Sequence, residues 1–327
     1  MNPTNPTIDF LMSGDPAIRW QTMRDLLEAP EAEWQAEQRR TLETGWGAQL
    51  LAQQDPEGTW GGGLYSPKWT STTYTLLALI HIGIPPDCAA AQEAACLLLE
   101  GMLGETYDTA FARKLKDMDR CIVGMLLEIA VYFGITDVHT ADAGRKDADR
   151  TEAIVDNLLE EIMPDGGWNC RKGRKMSNRP APHHSSFHTT SSVLDGLREY
   201  MERRSGPQSQ AVLAAEQSAR EILLEHRLLF SDHTGQEINP QFARLVYPYR
   251  WHYSLLRGLE YFARVNAPRD DRLQDAIALL NGKRRPDGLW PLENKYGGVV
   301  FFNMERVGKP SRWVTLRALR VLKWWSR

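Results

Sequence analysis

Pro164-Asp165-Gly166-Gly167-Trp168 leads through a polar loop into FHTTSSVLDGLREYM at Phe187–Met201, and this succession decides the fold. Pro, Asp and Gly stop a helix and turn the chain, and the apolar run that follows suits a buried helix. Two further copies flank it. Asp55-Pro-Glu-Gly58-Thr-Trp60 precedes WTSTTYTLLALIHIG at Trp69–Gly83, and Pro286-Asp287-Gly288-Leu289-Trp290 precedes WVTLRALRVLKWW at Trp313–Trp325. Two more apolar helices lack the turn, Asp119–Gly134 and Arg250–Val265. The five starts recur every ~50–70 residues, the mark of an internal repeat.

Between these runs, Asp149–Met163, Gln208–Leu229 and Asp270–Leu280 carry apolar residues at i, i+3, i+4 and i+7, with charge on the other face. A helix apolar nearly all round is buried, and one with a single apolar stripe lies outside it. With Asp15–Leu27 as a sixth inner helix, the pattern predicts an all-α fold, an α/α toroid. About six inner helices would be sheathed by five to six outer ones in a single domain spanning residues 1–327. An open α-solenoid also pairs helices, but its repeats are usually about 30–47 residues and lack such long polar loops.

The chain has 327 residues, is 42% hydrophobic and 25% charged, and carries a formal net charge of −3, which gives no reason to expect a nucleic-acid partner. No run approaches the roughly 18–20 apolar residues that span a bilayer. The start, MNPTNPTIDFLMSGD, has neither the charged nor the apolar region of a secretory signal. Cys88, Cys96, Cys121 and Cys170 are too few for a disulfide framework in a chain of this length. The reading is a cytoplasmic protein without a transmembrane segment.

Gln54-x3-Gly58-x-Trp60 fits the QW repeat of terpene cyclases, and the helix starts Thr70–Thr73, Phe187–Ser191 and Arg312–Thr315 look like inner-helix starts of that group. At the level of repeats, nearly the whole chain resembles the superfamily of squalene cyclases and protein prenyltransferase β-subunits. The zinc-dependent prenyltransferase pattern R-x2-K-x2-D-x-C is similar to Arg113-x2-Lys116-x2-Asp119-x-Cys121, followed by Gly166-Gly167 and then His188. The resemblance implies that Arg113 and Lys116 hold an isoprenoid diphosphate, that Asp119, Cys121 and His188 bind zinc as cofactor, and that a partner subunit completes the enzyme.

The chemistry of the residues is compatible with that. Zinc takes thiolate, imidazole and carboxylate, and a catalytic site keeps one position open. His184, beside Cys170, His183 and His188, could supply a fourth ligand. The bland alternative makes Asp119 a helix cap, Cys121 a small packed residue and His188 a hydrogen-bonded one. Five cations at Arg171, Lys172, Arg174, Lys175 and Arg179 would attract an anion or simply be solvated. Trp69, Tyr249, Trp251 and Trp313, at or just before inner-helix starts, would line a cavity for an isoprenoid or other apolar small molecule, or else pack as core. Arg250 and His252, with Asp119 and His188, are the candidate catalytic groups. The leading expectation is an isoprenoid-handling enzyme that performs prenyl transfer or cyclisation. Two alternatives stay open: a carbohydrate-active α/α-barrel with Asp117, Asp119 and Glu305 as carboxylates, and a toroid that binds lipid or protein without turnover.

Overall fold

The computed structural model describes residues 5–104, 108–135, 150–170, 181–204 and 206–327. The first half runs through α1 (Pro6–Met12), α2 (Pro16–Asp25), α3 (Glu31–Arg39), α4 (Gly45–Leu51), α5 (Thr72–Ile82), α6 (Ala89–Leu103) and α7 (Thr109–Asp117). The second half holds α8 (Arg120–Phe133), α9 (Arg150–Glu160), α10 (Phe187–Arg203), α11 (Ser209–Glu225), α12 (Leu255–Arg264), α13 (Gln274–Gly282) and α14 (Arg312–Trp325). Among the described residues, β pairing is confined to isolated bridges such as Gln54–Trp60.

The fold is an α/α toroid. Inner helices α5, α8, α10, α12, α14 and α2 stand side by side in that order, each against the next. The ring closes between α2 and α5, where Trp20 Nε1 donates to the carbonyl of Ile82 at 3.0 Å. Outside them, α6 packs on α5 and α8, α9 on α8, α11 on α10, α13 on α12, α1 on α2 and α14, and α4 on α2 and α5. Two helices stand outside this pairing, α3 against α2 and α7 against α6 and α9. No helix among the described residues is long and apolar enough to cross a membrane.

The repeated turn has one structural job. Trp60, Trp168 and Trp290 are fully buried. Each indole Nε1 donates to a carbonyl in the last turns of the preceding outer helix, at Leu50 (2.8 Å), Leu158 (2.7 Å) and Leu280 (2.7 Å). Each Trp backbone N–H donates to a threonine hydroxyl in the first turn of the next inner helix, at Thr72 (3.1 Å), Thr190 (3.0 Å) and Thr315 (3.0 Å). Outer-helix tail and inner-helix head are thus joined through one residue, three times over.

Two inner helices come unusually close. A Cβ at Gly124 of α8 would lie 2.5 Å from the Ser192 carbonyl of α10, and one at Gly196 would lie 2.4 Å from the Gly124 carbonyl. Only glycine allows backbones to approach so near. This contact sets α8 against α10 along the face that carries Glu128, one turn beyond Gly124.

One helix start differs from the sequence expectation. The helix anticipated from Arg250 begins at Leu255. Arg250 takes a left-handed backbone (φ +56°) after Pro248, which no helix accommodates. Helical geometry starts only where the Ser254 hydroxyl accepts from the Arg257 N–H at 3.3 Å.

Candidate active site in the central cavity

Around Trp69 and Trp251, at two inner-helix starts, the sequence led to the expectation of a cavity. The loops ahead of them fill it instead. His252 stacks on Tyr296 (centroids 3.4 Å apart, 8° between planes) and on Trp251 (3.8 Å, 20°), while Trp69 lies 5.9 Å from His252. His188 packs edge-on to Trp251 at 5.2 Å, and its Nδ1 accepts from the Tyr253 N–H at 2.7 Å. Arg250 lies over the Trp69 ring at 5.4 Å. So Trp69, His188, Arg250, Trp251 and His252 are brought together, but as a packed plug. Burial presses the pKa of His188 down to about 4 and that of His252, beside His188, to about 3.

The remaining proposed residues do not gather there. Arg113 and Lys116 are exposed on α7. Asp119 is the N-cap residue of α8. Cys121 touches Cys170, with Sγ atoms 2.9 Å apart. His184 is exposed, its carbonyl accepting from Asn169 at 2.8 Å. Among the described residues, no three His, Cys, Asp or Glu side chains are grouped to hold a metal ion, which corrects the zinc set of Asp119, Cys121, His188 and His184. The cationic stretch 171–179 lies outside the described residues.

Open space lies toward the other end of the ring, in a cavity of about 560 Å³ lined by all six inner helices. Tyr249 and Trp313 contribute to its wall. Its floor is built from ionisable residues of the inner helices and from Tyr249 in the loop before α12. Tyr249 Oη and His81 Nε2 are 2.8 Å apart, and Glu128 Oε1 lies 3.8 Å from the same nitrogen. Asp195 is ion-paired with Arg257 at 2.6 Å. The Arg257 guanidinium lies 4.5 Å, and that of Arg317 4.8 Å, from the Tyr249 ring centre. On the wall, Glu199 and Glu202 pair with Arg264 at 2.5 and 2.6 Å, and Asp25 and Glu260 pair with Arg320 at 2.5 and 3.3 Å.

This packing shifts the proton affinities of the floor residues. Burial, reinforced by the charges of Asp195 and Glu199, holds the Glu128 carboxyl well above the ordinary carboxylate range. Burial and the nearby Arg257 and Arg317 press His81 well below the usual imidazole value. Burial also raises the Tyr249 phenol well above its usual value. The floor therefore presents a carboxyl that holds its proton more tightly than usual beside an imidazole and a phenol that are both neutral at pH 7. A proton donor and acceptors thus stand together, as general acid–base work requires.

The cavity is lined by eight Arg and Lys against six Asp and Glu. The cations are thus in excess here, although the whole chain is net −3. The unmet hydrogen-bonding groups on its lining are donors alone: Trp313 Nε1, Arg317 Nη1 and Nη2, and Arg320 Nε, all on α14, lack partners among the described residues. This lining is why the expected apolar isoprenoid cavity does not form. Burying a hydrocarbon chain against these unmet N–H donors would forfeit their hydration without replacing it.

Sequence reasoning missed His81, Glu128, Asp195, Arg257 and Arg317. One signal could have found two of them: His81 and Glu128 are ionisable residues inside runs otherwise apolar enough to be buried, where a charge is costly and calls for a reason.

No family model matches the chain, and no curated protein matches it. It is similar in fold to a glycosyl hydrolase of family 88 from Bacteroides vulgatus, at 9% identity over 97% of this chain and 89% of that one, with a TM-score of 0.47. It is also similar to a polysaccharide lyase, at 9% identity over 96% of this chain and 95% of that one, with a TM-score of 0.45. The charged cavity corrects the resemblance to squalene cyclases and prenyltransferase β-subunits. The terpenoid-cyclase and prenyl-transfer chemistry, and the isoprenoid partner it implied, fall with it.

Proposed function

We propose that this toroid is a carbohydrate-acting enzyme that cleaves a glycosidic bond of an acidic saccharide in the central cavity. The observation that carries the reading is Glu128: a carboxyl of raised pKa at the floor of a cavity with excess cationic residues, facing the His81 imidazole. Breaking a glycosidic bond needs a proton delivered to the departing oxygen, and a carboxyl with a raised pKa is the usual donor. Asp195, bound to Arg257 at 2.6 Å, is the second carboxyl group. His81 and Tyr249 form the hydrogen-bonded neighbourhood through which the acid is positioned and reprotonated. The ring faces of Tyr249 and Trp313 suit the apolar faces of a sugar, and the donors of α14 suit its acid group.

The test is to incubate the full chain with paired acidic and neutral oligosaccharides and follow the products by mass spectrometry. Cleavage of an acidic substrate, falling about 10²–10⁴-fold in Glu128→Gln, is expected. Absence of cleavage across the panel, or a Glu128→Gln variant as active as the parent, would overturn the proposal.

A further inference from the structure

Cys121 and Cys170 take no part in the cavity. They lie at the opposite, plugged end of the ring and bring together two elements remote in sequence. Cys121 is the second residue of α8, and Cys170 follows the buried Trp168 on the way to α10. Besides the 2.9 Å approach of the two sulfur atoms, Cys170 Sγ accepts from the Cys121 backbone N–H at 3.4 Å and touches Thr189 Oγ1 at 3.2 Å. Both cysteines are half-buried rather than sealed in the core. The chain's other two cysteines, Cys88 and Cys96, lie elsewhere on and beside α6.

We propose that Cys121 and Cys170 form a thiol–disulfide exchange site that a small-molecule disulfide closes into an intramolecular cross-link. The two sulfurs have separate roles. Cys170 is the attacking sulfur, because it sits at the N-terminus of α8, where a free N–H and the positive end of the helix favour a thiolate. Its bond to the Cys121 thiol lowers its pKa to about 7, whereas the same bond, with burial, raises that of Cys121. Asp119, whose charge opposes the thiolate, is the nearby acidic group, and Tyr65 and Tyr74 lie within electrostatic reach.

Cys170 thiolate attacks one sulfur of the external disulfide, breaking its S–S bond and releasing one thiolate. The Cys121 sulfur, giving up its proton, then attacks Cys170 and expels the second thiolate. The dithiol loses two electrons and two protons, and the external disulfide gains them as two thiols. The new bond would join the head of α8 to the segment entering α10, beside the Trp168–Thr190 connection.

Purified full-length chain should be equilibrated at neutral pH in glutathione buffers from fully reduced to fully oxidised. It is then quenched in acid, unfolded, alkylated and mapped by mass spectrometry. Cys121 and Cys170 should lose alkylation together, joined in one peptide pair lighter by two hydrogens, while Cys88 and Cys96 stay alkylated. Under native conditions the reduced protein should alkylate at Cys170 at least about tenfold faster than at Cys121. Cys121→Ser should arrest at a glutathione adduct on Cys170, and Cys170→Ser should take up no glutathione at Cys121. Independent oxidation of the two thiols, or an adduct on Cys121 in Cys170→Ser, would overturn the assignment. The wild-type map alone suffices if either variant fails to fold.

Discussion

Tyr249 Oη and His81 Nε2 meet at 2.8 Å across the ring, linking the loop before α12 to the last turn of α5. Because the phenol is un-ionised and the imidazole neutral, one proton is shared across this contact. Tyr249→Phe should leave His81 without its partner, costing about 1 kcal/mol in stability. Under the proposed function it should lower kcat more than it raises KM. Chemical denaturation and steady-state kinetics check the two effects separately, and unchanged kinetics would remove this contact from the mechanism.

Acid should destabilise the fold from an unusual starting point. His81, His188 and His252 are all pressed below the ordinary value of 6.5. Below that pH the unfolded chain binds protons that the folded one refuses, so the stability they provide is complete above 6.5 and drains away as pH falls. Glu128 works in the other sense. It keeps a proton in the fold that the unfolded chain releases above its ordinary 4.5, so it subtracts stability as pH rises. A His188→Gln, His252→Gln double variant should flatten the decline between pH 6.5 and 4.5 by at most about 2.7 kcal/mol per pH unit, one proton for each ring. Urea midpoints across that range decide it; a slope equal to that of the parent would show that neither ring is held neutral.

Gly124 and Gly196 leave no space for a side chain. Gly124→Ala places a methyl against backbone that cannot rotate aside, so α8 and α10 must part, at a cost of about 1–3 kcal/mol. Any activity should fall further than stability alone explains, because Glu128 and Asp195 share that interface. A variant as stable and active as the parent would show that the contact is not tight.

The three tryptophan connections should be energetically alike. Trp60→Phe, Trp168→Phe and Trp290→Phe each lose an indole donor and some core volume, and each should cost about 2–4 kcal/mol. Calorimetric melting of the three variants is the comparison. One tolerated substitution among three would mean that the corresponding turn is held by other contacts.

Arg317 is only 2% exposed and has two terminal nitrogens without partners among the described residues. If the proposed acidic substrate meets them, Arg317→Gln should reduce kcat/KM for that substrate about 10- to 100-fold and leave a neutral analogue unaffected. Equal losses on both substrates would assign Arg317 to the architecture of the wall.

The ring itself was legible in the sequence because its cause is local. WTSTTYTLLALIHIG and FHTTSSVLDGLREYM can be soluble only when covered, and the Asp-Gly-Trp turns mark where each cover ends. The site was not legible for the opposite reason. His81, Glu128, Asp195, Arg257 and Arg317 meet only through the ring's curvature, and no spacing between them announces it. The pattern Arg113-x2-Lys116-x2-Asp119-x-Cys121 misled because matching letters do not fix direction: the first two residues face outward on α7, and Asp119 begins a helix. Trp69 and Trp251 were expected to line a cavity, yet Trp251, His252 and Tyr296 stack on one another beside Trp69.

Each buried tryptophan anchors a polar loop at both of its ends, to the helix behind and to the helix ahead. A segment pinned in this way can change length or wording at little cost to the whole, since adding residues between fixed points is entropically cheap. The barrel's two openings are thereby uncoupled. Variation can reshape the stoppered face freely, while the charged chamber behind it keeps its form.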